Sequence, residues 1–229
     1  DVAGARKAYE KVLAAKPDLP GALWNLALAV ERDGKPEEAE KIFEKLVQVK
    51  PDFEDAAFRL GFLQLQRAEY AGAVDSFETC LKKKKDWVEA LLNLGLACWK
   101  FEDLDAASET FTRVLSLQPK NTDAMRALTA IAIEKKDHKK AWELHQKMSA
   151  LGEKSLELSY NLGLLLQSAG ENQKAADAYQ LAVDKKPDFS EALLNLGHAL
   201  KAVGKEDEAK QAWTKAVSAD PELAGKYFR

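Results

Sequence analysis

Apolar residues along this chain fall at the i, i+3, i+4, i+7 spacing of amphipathic helices, in paired blocks separated by short polar turns. One pair shows the design. From Val88 to Phe101, Leu91, Leu94, Gly95 and Cys98 mark one face of a first helix. An acidic turn, Glu102 to Leu104, follows. Ala107, Phe111, Val114 and Leu115 then mark a second helix. That helix is predicted to end around Gln118, because Pro119 cannot continue it and Asn121 favours a turn.

The pattern repeats from end to end. Pro17, Pro51, Pro119, Pro187 and Pro221 lie 34 residues apart or twice that, with Lys85 and Glu153 in the two intervening registers. A leucine column runs through Leu26, Leu60, Leu94, Leu128, Leu162 and Leu196, and an alanine column through Ala5, Ala39, Ala73, Ala107, Ala141, Ala175 and Ala209. An aromatic column fills the middle of the second helices outside the fourth unit: Tyr9, Phe43, Phe77, Phe111, Tyr179 and Trp213. One such hairpin cannot bury its apolar face alone, whereas stacked neighbours can, and small residues at fixed columns let the helices approach. Gly34, Gly170 and Gly204 stand where a first helix must stop. The fourth unit departs from the pattern. Thr129 stands for glycine or alanine, His145 for the aromatic, Lys136 for the glycine cap and Glu153 for the proline, so looser packing and a local change of curvature are expected there.

The period, the Leu-Gly pair, the alanine column, the aromatic and the closing proline together resemble the tetratricopeptide repeat. "NLGLACW" at Asn93 to Trp99 and "NLGHAL" at Asn195 to Leu200 resemble its first helix. "PDFSEALLNLG" at Pro187 to Gly197 is similar to repeats of O-linked N-acetylglucosamine transferase and of bacterial scaffold proteins. The resemblance covers essentially the whole chain. It implies an all-α fold, a right-handed superhelical solenoid of stacked antiparallel hairpins, over residues 1–229 as a single domain. Six complete repeats fit at about 20–219, preceded by an orphan second helix at 3–16 and followed by a partial helix at 222–229. Both ends fall mid-repeat. Repeat arrays normally close with polar caps, so the expectation is a fragment of something longer, with end-to-end self-association through its apolar ends.

The resemblance also implies that the first-helix face turned away from the hairpin lines a peptide-binding groove. Helical arithmetic places Glu89, Leu92, Asn93, Leu96 and Trp99 on that face of the third repeat. The asparagine column reads Asn25, Arg59, Asn93, Ala127, Asn161 and Asn195. Asparagine offers a donor and an acceptor, so such a ladder would hold a peptide backbone in either direction. Trp24, Leu28, Phe58, Phe62, Leu65, Leu92, Leu96, Trp99, Tyr160 and Leu164 make the neighbouring columns apolar. These residues either pack against adjacent repeats or face a bound molecule. Asp55, Glu89, Asp123, Glu157 and Glu191 rim the face, where carboxylates are favoured at helix N-termini in any case. Arg59 and Arg126 are basic exceptions suited to a ligand carboxylate. Trp24, Phe58 and Leu92 stand where the family's chaperone-tail clamps carry lysine, which argues against that ligand.

Composition narrows the picture without redirecting it. Of 229 residues, 46% are apolar and 31% charged, and the net charge is −3, so the chain lacks the basic excess of a nucleic-acid binder. No apolar run reaches the roughly 20 residues needed to span a bilayer. The sequence therefore points to a protein or peptide partner, with no nucleic acid and no membrane insertion. Cys80 and Cys98 are too few for a disulfide framework and fall on core columns. No phosphate-binding glycine loop, paired-histidine metal motif or nucleophile context occurs, so no cofactor and no catalytic residue is expected. His145 lies in the core column, and His198 faces the groove. Lys135, Lys136, Lys139 and Lys140 read as a solvated turn. The function expected is a non-catalytic scaffold that binds a peptide. The alternatives are the repeat arm of a larger enzyme, such as a glycosyltransferase, and a self-assembling structural scaffold.

Overall fold

The computed structural model describes residues 2–223. Thirteen α-helices and no strands occur among them. The chain divides into two compact units, Asp1–Pro119 and Lys120–Arg229. The first holds α1 (Val2–Ala15), α2 (Pro20–Arg32), α3 (Pro36–Val49), α4 (Glu54–Gln66), α5 (Tyr70–Lys83), α6 (Val88–Lys100) and α7 (Leu104–Leu117). The second holds α8 (Thr122–Glu134), α9 (His138–Ala150), α10 (Leu156–Ser168), α11 (Asn172–Lys185), α12 (Ser190–Ala202) and α13 (Glu206–Ala219). Repeats one to six are thus the pairs α2–α3 through α12–α13, and α1 is a second helix preceding them. The partial helix expected at 222–229 lies, beyond Leu223, outside the described residues.

Local sequence sets the helix ends. Pro20 and Pro36 open α2 and α3, where a missing N–H costs nothing. Asp103, Asn121, Asp137 and Ser155 cap α7 to α10, each side chain accepting a hydrogen bond from the backbone N–H three residues on. Leu104, read from sequence as the end of a turn, is instead the first residue of α7, because Asp103 starts the helix there. Gly34, Gly170 and Gly204 take the left-handed conformation that ends α2, α10 and α12. Ala68, Glu102 and Lys136 adopt it at the same register of the other repeats, at a steric cost that glycine avoids.

The core follows the columns. Leu26, Leu60, Leu94, Leu128, Leu162 and Leu196 are buried, as are the alanines from Ala39 to Ala209. Phe43, Phe77, Phe111 and Tyr179 are buried, while Tyr9 and Trp213 near the two ends are half-covered. Burial of each such leucine or aromatic contributes roughly 1.5–3 kcal/mol. The rings need room, and glycines on the first helices supply it. A Cβ on Gly163 would lie 2.4 Å from the Tyr179 ring, and one on Gly197 2.2 Å from the Trp213 indole. The same register holds Ala27 in repeat one and Thr129 in repeat four, and Thr129 is matched by a smaller ring, His145.

Candidate functional site

On every first helix one face is sealed and the other stays accessible. In α6, Ala90, Leu91, Leu94, Gly95, Ala97 and Cys98 are buried. Glu89, Leu92, Asn93, Leu96 and Trp99 are not. The same division holds for the other predicted positions. Asn25, Leu96 and Arg126 are exposed; Trp24, Leu28, Phe58, Arg59, Phe62, Leu92, Asn93, Trp99, Tyr160, Asn161 and Asn195 are half-buried. Leu96 and Leu164 are the most accessible large apolar groups on these faces, at 37% and 42%. The first unit gathers its share on α2, α4 and α6, and the second on α8, α10 and α12.

The aromatics of the first helices are not free side chains. Trp24 packs edge-on against Phe43, ring centres 5.6 Å apart, and against Phe53 at 5.0 Å. Phe58 meets Phe77 at 5.8 Å and stacks on Trp87 at 4.5 Å. Tyr160 meets Tyr179 at 5.8 Å and Phe189 at 4.9 Å. A lysine tops each stack: Lys50 over Phe53, Lys84 over Trp87 and Lys186 over Phe189, at 5.3, 4.6 and 5.6 Å. Each stack joins a hairpin to the residue that starts the next first helix, so these three aromatics hold neighbouring repeats together. Of the two roles the sequence left open for them, all three take up the packing one, while each stays half-buried on the open face. Sequence reasoning missed Phe53, Trp87 and Phe189. The signal was present, since each follows a connector lysine by three positions and shares one register of the 34-residue period.

Polar groups on the open face are partly committed. The Asn93 side-chain N–H donates to the Glu89 carbonyl at 2.8 Å, and Asn195 donates to the Tyr160 hydroxyl at 3.2 Å. Their Oδ1 atoms still offer acceptors. Arg59 pairs with Glu31 at 3.4 Å, and Arg126 with Asp123 at 2.9 Å and Glu153 at 3.4 Å. Each basic exception therefore already meets a carboxylate. Asp55 is matched by Lys84 at 2.9 Å. Burial pushes the Cys80 thiol up to about 12 and Cys98 to about 11, so neither is a thiolate at neutral pH. His198, on α12 with its ring against Trp213, is held below the usual histidine range by partial desolvation there and by Lys201. Two hollows in the second unit, one beside Gly170 to Lys174 and one between α11, α12 and α13, involve none of the predicted residues.

Two family profiles match the sequence of this chain of paired helices, both of the tetratricopeptide repeat. One covers residues 1–60 and the other residues 88–121 and 190–223, together more than half of the chain. The chain belongs to the tetratricopeptide repeat family. Its solved relatives agree on the fold. The crystal structure of a MamA protein shares 26% identity at a TM-score of 0.65, over 76% of this chain and 94% of that one. MamA of AMB-1 gives 22% and 0.63, over 75% and 96%. MamA from Desulfovibrio magneticus RS-1, from residue 41 to its end, gives 22% and 0.61, over 74% and 96%. No curated protein sequence matches the chain. Tetratricopeptide arrays serve as protein-interaction scaffolds, a fold that typically carries no catalysis, and this chain is built as one. Among the described residues, no helix is long and apolar enough to cross a membrane.

Proposed function

We propose that the chain captures a peptide segment of a partner protein on the open faces of its first helices, without catalysis. The observation that carries this reading is the composition of α6, where Leu92, Leu96 and Trp99 stay accessible beside Asn93 while the opposite face is sealed. Repeated on α2 and α4, this gives the first unit an apolar surface edged with amide groups, to which a short amphipathic or extended segment can bind. Leu28, Phe62, Leu92, Leu96 and Trp99 are the anchors. Trp24 and Phe58 flank them from within the aromatic stacks, and Tyr160 has the same place on the second unit. On the first unit the acceptor atom of Asn93, together with Asn25, holds the peptide backbone; Asn161 and the acceptor atom of Asn195 offer the same groups on the second unit. Because Arg59 and Arg126 are already matched by acids, a free carboxylate on the ligand contributes little.

The test is selection of peptides from a displayed library on the immobilised chain, followed by affinity measurement with Leu92→Glu/Leu96→Glu. Both positions lie off the core, so the helical spectrum is expected to hold. Affinity is expected to fall at least tenfold, about 1.4 kcal/mol. Selected peptides that bind the double variant as tightly would overturn the site. Phe58→Ala is a poorer probe, because it also removes the Phe77 and Trp87 contacts.

A further inference from the structure

Repeat four differs from its neighbours at several linked places. Its core carries Thr129 and His145, both buried, where other repeats place glycine or alanine and an aromatic ring, and α10 adds the buried Ser159 at a register that elsewhere holds leucine, alanine or methionine. The His145 ring, 4% exposed, lies with Nε2 at 2.9 Å from the Ser159 hydroxyl. Its Nδ1 is buried with no hydrogen-bonding partner. A buried N–H without an acceptor costs more than a buried lone pair, so the arrangement favours the tautomer in which Nε2–H donates to Ser159 and Nδ1 is bare. The connector from α9 to α10 lacks the lysine–aromatic pair, placing Gly152 and Ser155 at those registers, a lack it shares with the connector of repeat three, which has Gln118 and Asn121 there. Accordingly, α9 packs on α10 more sparsely than α11 packs on α12.

We propose that the α9–α10 seam is an acid-operated joint, opened when a proton reaches Nδ1 of His145. The added proton would lie on a buried nitrogen with no acceptor, and the ring would carry a charge with no counter-ion. The charged groups of the surrounding helices do not supply one. Asp123, Arg126 and Glu134 on α8, Lys139, Lys140, Glu143 and Lys147 on α9, and Glu157 on α10 are all exposed. His138, at the start of α9, is half-buried and paired with Glu171 instead.

The direction in pH follows. Burial holds the folded-state value of His145 below the ordinary 6.5. The unfolded or opened segment therefore binds more protons than the closed one in the window below that value. The stability contributed by the neutral ring is complete above about pH 6.5 and is lost as the pH falls through the window. Because Ser159 directly precedes Tyr160 and Asn161, opening would displace two residues of the candidate binding face. That regulatory consequence rests on the peptide-binding reading; the joint itself does not.

Hydrogen exchange needs no ligand and so tests the joint separately. In the intact chain at pH 7.5 and 5.5, with rates corrected for intrinsic chemistry, opening of α9 and α10 is expected to become several-fold more frequent at the lower pH, up to the roughly tenfold that one histidine can supply over that interval. The α12–α13 hairpin should change far less. His145→Gln retains an N–H for Ser159 and cannot titrate, so it should abolish the difference, whereas His198→Gln should leave it. Equal protection of α9 and α10 at both pH values would overturn the proposal, as would a difference that survives His145→Gln. If that variant does not fold, NMR titration of the wild-type His145 ring decides. Its midpoint must coincide with the rise in exchange, and a separate midpoint overturns the joint.

Discussion

Repeats five and four occupy one compact unit and share one register, yet they fill their centres differently. Repeat five places Tyr179 against Gly163, ties its hydroxyl to Gln167 at 2.8 Å, and packs the ring against Tyr160, which in turn meets Phe189. Repeat four has Thr129, His145 and Ser155 at the corresponding positions, with Arg126 where Tyr160 would be. Both form the same hairpin. The period and the leucine and alanine columns therefore specify topology, while a few ring-and-glycine positions decide how tightly successive hairpins are fastened.

Substitutions can break or sharpen that contrast. The largest effect is expected from Tyr179→Ala, which removes a fully buried ring and leaves Gln167 without its donor, at a cost of about 3–5 kcal/mol in urea unfolding. His145→Ala should cost less, about 1–3 kcal/mol. Equal losses would mean that repeat four is fastened as firmly as repeat five. Next comes the pairing of ring and small residue. His145→Tyr alone should destabilise by crowding Thr129, and Thr129→Gly alone by leaving a cavity. Combined they should recover, with a favourable coupling of about 1–3 kcal/mol in a double-mutant cycle. Additive losses would deny the size match.

Smaller effects test the glycines individually. Gly163→Ala should cost about 1–3 kcal/mol, because its Cβ would lie 2.4 Å from the Tyr179 ring. Gly61→Ala, at 3.0 Å from Phe77, should lie within about 1 kcal/mol of wild type, since the helix-propensity gain offsets mild crowding. The smallest effect concerns the helix stop of repeat four. Lys136→Gly should stabilise by about 0.5–1 kcal/mol by relieving a left-handed lysine, and Gly170→Lys in repeat five should do the reverse. Melting temperatures that move the other way would show that these ends are set by something other than backbone strain.

Most of the fold was legible because one period was written six times. The buried leucines, the alanine column and the left-handed Gly34, Gly170 and Gly204 stand where spacing placed them. The open side of each first helix was legible for the same reason, since helical arithmetic separates Leu92 and Leu96 from Leu91 and Leu94. What sequence could not assign was the second contact of Trp24, Phe58 and Tyr160. An aromatic beside an open face reads as a ligand anchor until its partner is known, and Phe53, Trp87 and Phe189 lie in connectors outside the helical pattern. The engagement of Arg59 with Glu31 was hidden likewise, because the pair joins different first helices.

The account depends on the open side of the first helices being the surface that receives a partner. The most direct measurement places a photo-activatable side chain at Leu96 on α6 and, as a control, at Glu109 on the exposed side of α7, in the presence of a selected peptide. The account predicts peptide adducts at position 96 and none at position 109. Adducts at 109 with none at 96 would contradict it.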